Sequence, residues 1–162
     1  MSELLEKILT KDNMNTAYKR VCANKGAGGV DEVTVEELGD YIKENWDSIR
    51  NQIRNRKYRP QPVRRVEIPK PNGGVRKLGI PTVMDRVIQQ GIVQVISPLC
   101  EPLFSEWSYG FRPNRSCHQA VREIIEIVQY RKTNYVVEAD IRGFFDNVDH
   151  EWPVSYTHLT LP

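Results

Sequence analysis

The sequence predicts an α+β fold, and three observations carry the prediction. Two long helical stretches lie near 34–56 and from 83 onward, an Asn-Gly turn sits between two short β-prone runs at 63–80, and an apolar run at 135–140 ends on an acid. Helices, a hairpin and a strand in irregular order, with no internal repeat and no low-complexity linker, do not make the alternating βα pattern of a parallel sheet. Composition agrees: 162 residues, 40% apolar and 27% charged, describe a globular chain long enough to bury a core.

Residues 3–10 and 13–24 read as helices, followed by the break Lys25-Gly26-Ala27-Gly28-Gly29. Thr34-Val35-Glu36-Glu37 is a capping box, in which Thr and Glu three apart satisfy free backbone donors reciprocally, and it opens a helix toward Arg56. Tyr58-Arg59-Pro60-Gln61-Pro62 ends that helix, because proline has no N–H and restricts the residue before it. Residues 63–70 and 75–80 are β-prone runs joined by Pro71-Asn72-Gly73-Gly74, a strong hairpin signal. Pro81 closes the second run. The next helix places Ile88, Ile92, Val95, Ile96 and Leu99 on one face, with Pro98 and Pro102 near its last turn. Residues 105–116 form a loop rich in Trp, Tyr, Phe and Arg. An amphipathic helix from about Ser116 then buries Val121, Ile124, Ile125 and Val128. Residues 135–140 follow as a strand, with Val136, Glu138 and Asp140 on one face.

The net charge of +2 hides a strong asymmetry. Residues 50–90 carry 11 basic side chains against Glu67 and Asp85, while residues 1–49 carry 6 basic and 10 acidic ones. A basic block of that density favours a polyanion, since each neutralised phosphate releases condensed counterions. A solvated helix face explains Arg50 to Lys57 well enough, but not the cations around the hairpin turn. Cys22, Cys100 and Cys117 have neither metal-ligand nor disulfide-framework spacing and read as buried thiols. No apolar run approaches the ~20 residues of a membrane span. The acids at Glu3 and Glu6 are unlike a secretory signal. The expectation is an intracellular, cytoplasmic protein of bacterial type with no membrane partner.

Asp140 is the candidate catalytic and metal-binding residue. An acid ending an apolar strand must be solvated, paired or metal-bound, and magnesium takes hard oxygen ligands. Its plain alternative is an aspartate that caps the following turn. Asp146 and Asp149 fit helix capping better than catalysis, and His150 has no evident metal partners. Lys70 and Arg76 flank the hairpin turn, with Arg64, Arg65 and Lys77 close by, so the hairpin can present cations to phosphate oxygens. A hairpin charged only for solubility has the same spacing. The Lys25 glycine segment lacks the Gly-Lys-Ser/Thr ending of a P-loop and reads as a flexible connector or backbone-contact loop. In Ser108-Tyr109-Gly110-Phe111-Arg112-Pro113-Asn114-Arg115-Ser116, aromatics can stack on bases while Arg112 and Arg115 hold phosphates. The competing reading has Trp107, Tyr109 and Phe111 anchoring the loop to the core.

Taken together, these segments resemble the N-terminal half of group II intron-encoded reverse transcriptases, the intron maturase family. The resemblance runs in order from about Met14 to His150. It is carried by Lys25-Gly-Ala-Gly-Gly-Val-Asp31, Arg64-Arg-Val-Glu-Ile-Pro-Lys-Pro-Asn-Gly-Gly-Val-Arg-Lys-Leu-Gly-Ile-Pro81, Asp85-Arg-Val-Ile-Gln-Gln90, Ser108 to Ser116, and Ala139-Asp-Ile-Arg-Gly-Phe-Phe-Asp-Asn-Val-Asp-His150.

The resemblance implies a truncated right-hand polymerase: an N-terminal extension and fingers over 1–133 and the start of the palm, with its first strand, over 134–152. It implies that Asp140 and the Ile141 carbonyl bind Mg²⁺, that Lys70 and Arg76 contact the deoxynucleoside triphosphate, and that Phe145 packs beneath its sugar and excludes a 2′-hydroxyl. Lys25, Gly26, Gly28, Gly29, Arg64, Arg65, Arg112 and Arg115 would meet nucleic acid. The implied activity is RNA-directed DNA synthesis on an intron RNA template from a DNA primer, with intron RNA binding for splicing and mobility. Two departures stand out. The family's Tyr-x-Asp-Asp hairpin is absent, so this piece alone is expected to be inactive. Pro153 breaks the helix expected after Asp146, so residues 153–162 read as a non-native tail. The alternatives are a non-catalytic RNA-binding maturase-type module and a retron-type reverse transcriptase. Oligomeric state is not legible.

Overall fold

A computed structural model describes residues 3–71, 73–142, 144 and 147. The expectations for Phe145, Asp146, Asp149, His150 and the tail after Trp152 fall outside these described residues. The elements in order are α1 (Glu3–Ile8), α2 (Lys11–Ala23), α3 (Leu38–Arg54), β1 (Arg64–Pro69), β2 (Val75–Ile80), α4 (Val83–Cys100), a single 3₁₀ turn (Glu101–Leu103) and α5 (Cys117–Tyr130). The α+β expectation agrees with this mixture of helices and, among the described residues, one two-stranded sheet. The chain divides into two compact units, at 1–108 and 109–162.

In the first unit, α2 presents Met14, Ala17 and Val21 at helical spacing to Val83, Met84 and Val87 of α4, and Leu38 and Ile49 of α3 join the same core. The buried stripe of α4 differs from the expected one. Val95 is buried as expected, but Ile88, Ile92 and Ile96 are half-buried and Leu99 is exposed. The stripe instead runs through Val83, Met84, Val87, Gly91 and Val95. Gly91 accounts for the rotation: a Cβ there would lie 2.8 Å from the Met14 sulfur, so α2 packs tightly against a residue with no apolar signal. A polar clasp secures the same crossing. Asn13 Nδ2 donates to the carbonyls of Ile8 and Gly91 at 2.8 and 3.0 Å, and Gln94 Nε2 donates to Asn13 Oδ1 at 2.8 Å.

The expected capping box is formed before α3. The Thr34 N–H donates to Glu37 Oε2 at 3.0 Å and the Glu37 N–H donates to Thr34 Oγ1 at 3.3 Å. These bonds from Thr34 hold the Glu37 carboxyl below its usual range. Arg54, in the last turn of α3, grips Glu6 of α1 through two parallel hydrogen bonds of 3.0 and 2.6 Å.

The second unit departs further from expectation. α5 has its own capping box, Ser116 with Gln119, as a helix beginning near Ser116 requires. Its apolar face is not buried, however: Val121, Ile124, Ile125 and Val128 are each about half exposed (47–58%). Residues 135–140 form no strand, and Tyr135, Val136 and Val137 are exposed. A strand needs a neighbour for its backbone donors and acceptors, and the one ladder among the described residues pairs β1 with β2. The cysteines are not uniformly buried either; Cys22 and Cys100 are half-buried and Cys117 is exposed.

Candidate nucleic-acid interface

β1 and β2 pair antiparallel, from Arg64 opposite Ile80 to Pro69 opposite Val75. Directly opposed residues share a face and alternate residues change face. Arg64 and Arg76 therefore stand on the face that carries half-buried Val66 and Leu78, while Arg65 and Lys77 stand on the other beside Glu67. At the tip, the Lys70 N–H donates to the Gly74 carbonyl at 2.6 Å, and Gly73 takes φ +82°, a conformation that glycine tolerates without strain. Arg64, Arg65, Lys70, Arg76 and Lys77 are all exposed, and the ion pairs among the described residues involve none of them. The hairpin thus carries five charges open to a polyanion.

The root of the hairpin is built around a residue that the sequence reading did not single out. Asp85, 3% exposed in the first turn of α4, accepts hydrogen bonds from Tyr58 Oη (2.6 Å), Thr82 Oγ1 (2.7 Å) and the Gln61 N–H (3.1 Å). Its own N–H donates to Thr82 Oγ1 at 3.1 Å. Burial, reinforced by the hydrogen bond to the Asp85 carboxylate, pushes the Tyr58 phenol well above the usual tyrosine range. Thr82-Val83-Met84-Asp85 has the form of a capping box ahead of an apolar run, which was the available signal.

The glycine segment docks on the same turn. Arg86 Nη2 donates to the Ala27 carbonyl at 2.6 Å, and a Cβ on Gly26 would collide with the Arg86 guanidinium. A Cβ on Gly29 would lie 2.6 Å from Thr82 Cα. The loop is therefore seated on α4, not a flexible connector. Gly26 and Gly29 are explained by protein packing, and Lys25 is left exposed at the loop's start.

In the loop after α4 the aromatics do not all anchor. Trp107 is exposed, and Phe111 is fully exposed with φ +56°, in the left-handed region. Within the second unit the Arg115 guanidinium lies over the Tyr109 ring, 5.3 Å from its centre, a cation–π pair that partly covers both. Arg112 is half-buried.

Asp140 and Ile141 are exposed and lie outside any helix or strand. A carboxylate and a carbonyl are the hard oxygen donors that magnesium takes. No group of three His, Cys, Asp or Glu side chains gathers among the described residues, so these two donors do not by themselves complete a metal site. No described helix is long and apolar enough to cross a membrane.

Comparison with known proteins identifies the family. A family described as "Reverse transcriptase (RNA-dependent DNA polymerase)" matches residues 68–162. The chain is 37% identical over 163 residues to the group II intron-encoded protein LtrA of Lactococcus lactis subsp. cremoris, covering 99% of this chain and 26% of that protein. It is 35% identical over 155 residues to protein YkfC of Escherichia coli K12, covering 93% of this chain and 41% of that one. A 91 kDa protein in the cob intron of Schizosaccharomyces pombe is 32% identical over 147 residues, covering 89% of this chain and 18% of its own length. The chain thus spans about a quarter of the length of the L. lactis relative. It belongs to the reverse transcriptase family, of the group II intron-encoded type.

Proposed function

We propose that this chain supplies the fingers and the start of the palm of an RNA-directed DNA polymerase of group II intron type. The observation that carries the reading is the exposed basic hairpin, with Arg64, Arg65, Lys70, Arg76 and Lys77 outside every ion pair among the described residues and its root held by buried hydrogen bonds. Lys70 and Arg76 meet the triphosphate of an incoming deoxynucleotide, Lys as a point charge and Arg through its planar fork. Arg64 and Arg65 hold the RNA template or DNA primer by their phosphates, and so, in the second unit, do Arg112 and Arg115. Lys25 reaches nucleic acid from the base of the glycine segment, joined by the partly exposed backbone of Gly26 and Gly28, while buried Gly29 seats the segment on Thr82. Asp140, with the Ile141 carbonyl, contributes to a Mg²⁺ site whose remaining carboxylates come from elsewhere in the polymerase. Phe145 packs against the sugar of the incoming nucleotide. Residues 1–133 form the extension and fingers, and residues 134–152 begin the palm.

The test is primer extension on poly(rA)/oligo(dT) by a chimera in which residues 1–150 replace the matching segment of the L. lactis relative. DNA synthesis by the chimera, lost on Asp140→Ala with primer binding retained, is the expected result, and the isolated chain should synthesise nothing. Full synthesis by the Asp140→Ala chimera would overturn the assignment of the metal ligand. A chimera that folds and binds intron RNA, yet extends no primer, would favour the non-catalytic maturase-type module.

A further inference from the structure

We propose that Asp85 is the positioning residue of the basic hairpin, its carboxylate joining the segment that leads into β1 to the segment that leaves β2 and so setting the direction in which the hairpin's cations point. The inference rests on the reading of the hairpin as a phosphate-binding element.

A capping role alone does not account for Asp85. Capping α4 requires only that the Thr82 hydroxyl accept from the Asp85 N–H, as it does at 3.1 Å. The bonds from Tyr58 and the Gln61 N–H are additional, and they arrive from the far side of the hairpin in sequence. Gln61 precedes β1 by three residues and Thr82 follows β2 by two, so one carboxylate oxygen, Oδ2, accepts from both ends of the hairpin. The strands themselves offer little else to fix their direction, since their residues are exposed apart from half-buried Val66, Leu78 and Ile80. The carboxylate is buried and held by neutral donors, with no ion pair to Asp85 among the described residues. A buried carboxylate that loses such donors is costly, so the three bonds act together. The glycine segment rests on Thr82 and Arg86, which brings a second candidate nucleic-acid element to the same helical turn.

The geometry distinguishes two substitutions. In Asp85→Asn, the amide oxygen placed at Oδ2 still accepts from Gln61 and Thr82, while the amide nitrogen donates to the Tyr58 hydroxyl oxygen, which can accept. All three connections survive without the charge. In Asp85→Ala all three are lost. Tyr58→Phe loses one connection and leaves both hairpin ends attached.

The test uses the chain itself, with amide residual dipolar couplings to report hairpin direction and a fluorescein-labelled 20-nucleotide oligo(U) RNA to report affinity. Asp85→Ala should scale down the couplings of residues 64–80 relative to those of α2 and α4 and weaken RNA binding three- to tenfold. Asp85→Asn should restore both, and Tyr58→Phe should leave the couplings near wild type. If Asp85→Ala fails to fold, Asp85→Asn and Tyr58→Phe still decide: hairpin couplings that collapse in Asp85→Asn while α2 and α4 keep theirs would overturn the proposal. Couplings unchanged in a folded Asp85→Ala would overturn it as well. Oligo(U) that fails to bind the wild type would refute the phosphate-binding reading, while the couplings would still judge the role of Asp85.

Discussion

Gly29→Ala should destabilise the first unit by about 2 kcal/mol, although it adds only one methyl group. The added Cβ would lie 2.6 Å from Thr82 Cα, 2.7 Å from Thr82 N and 3.0 Å from the Pro81 carbonyl carbon. Carbon atoms at rest sit about 3.5–4.0 Å apart, so the loop or the start of α4 must retreat by about 1 Å. No rotamer change can relieve the clash, because every atom met belongs to the backbone. Moving Thr82 strains its hydrogen bond to Asp85, and overpacking of this kind costs about 1–3 kcal/mol. Lifting the loop away instead gives up the Arg86 bond to the Ala27 carbonyl, which, being partly exposed, falls near the low end of the roughly 1.5–3 kcal/mol of a charged hydrogen bond. Both routes lead to about 2 kcal/mol. Urea unfolding of the chain measures it, with Gly110→Ala as the control, since a Cβ there meets nothing within 4 Å and should change stability by less than about 0.5 kcal/mol. A Gly29→Ala chain with an unchanged urea midpoint would refute the seating of the glycine segment on α4.

Other consequences are as open to test. Asn13→Asp sets an acceptor against the carbonyls of Ile8 and Gly91 and should cost about 2–3 kcal/mol in urea unfolding, whereas a cost under about 0.5 kcal/mol would remove the clasp from the account. Tyr58 is held above the ordinary tyrosine range, so above pH ~10 the unfolded chain sheds a proton that the folded chain retains. Stability should therefore fall as pH rises through that window, and Tyr58→Phe should flatten the fall. Glu6 is held below the usual carboxylate range, chiefly by its hydrogen bonds from Arg54. Its contribution is present above the unfolded carboxyl's pKa and is lost as pH falls through the folded one, so amide exchange of α1 should accelerate in acid and do so less in Glu6→Gln.

Local chemistry was the legible part of this fold. The capping box at Thr34, the capped helix after Ser116 and the Asn-Gly hairpin each depend on residues within a few positions of one another, and the structure forms all three. Features that depend on a distant partner were not legible. Gly91 fixes the crossing of α2 and α4 because Met14 lies against it, and no periodic apolar count registers a glycine. Asp85 registered only as one of two acids in the basic block and as the start of the Asp85–Gln90 motif, and its burial follows from donors 24 and 27 residues away. The apolar face of α5 was expected to be covered and the run at 135–140 to form a strand, but a pattern states a need for a neighbour without supplying one. Of the candidate site, the hairpin cations came directly from charge density. The glycine segment was recognised, although its seat on Thr82 and Arg86 was not.

The most direct test of the central claim is a salt titration of oligo(U) RNA binding to this chain, comparing wild type with Arg64→Glu/Arg65→Glu/Arg76→Glu. Wild-type affinity should fall linearly in log–log form with salt, and the triple variant should bind more weakly with a slope shallower by about 2–3. Affinity indifferent to salt and to the three reversals would contradict the central claim, leaving the basic hairpin as a charged surface with no part in holding nucleic acid.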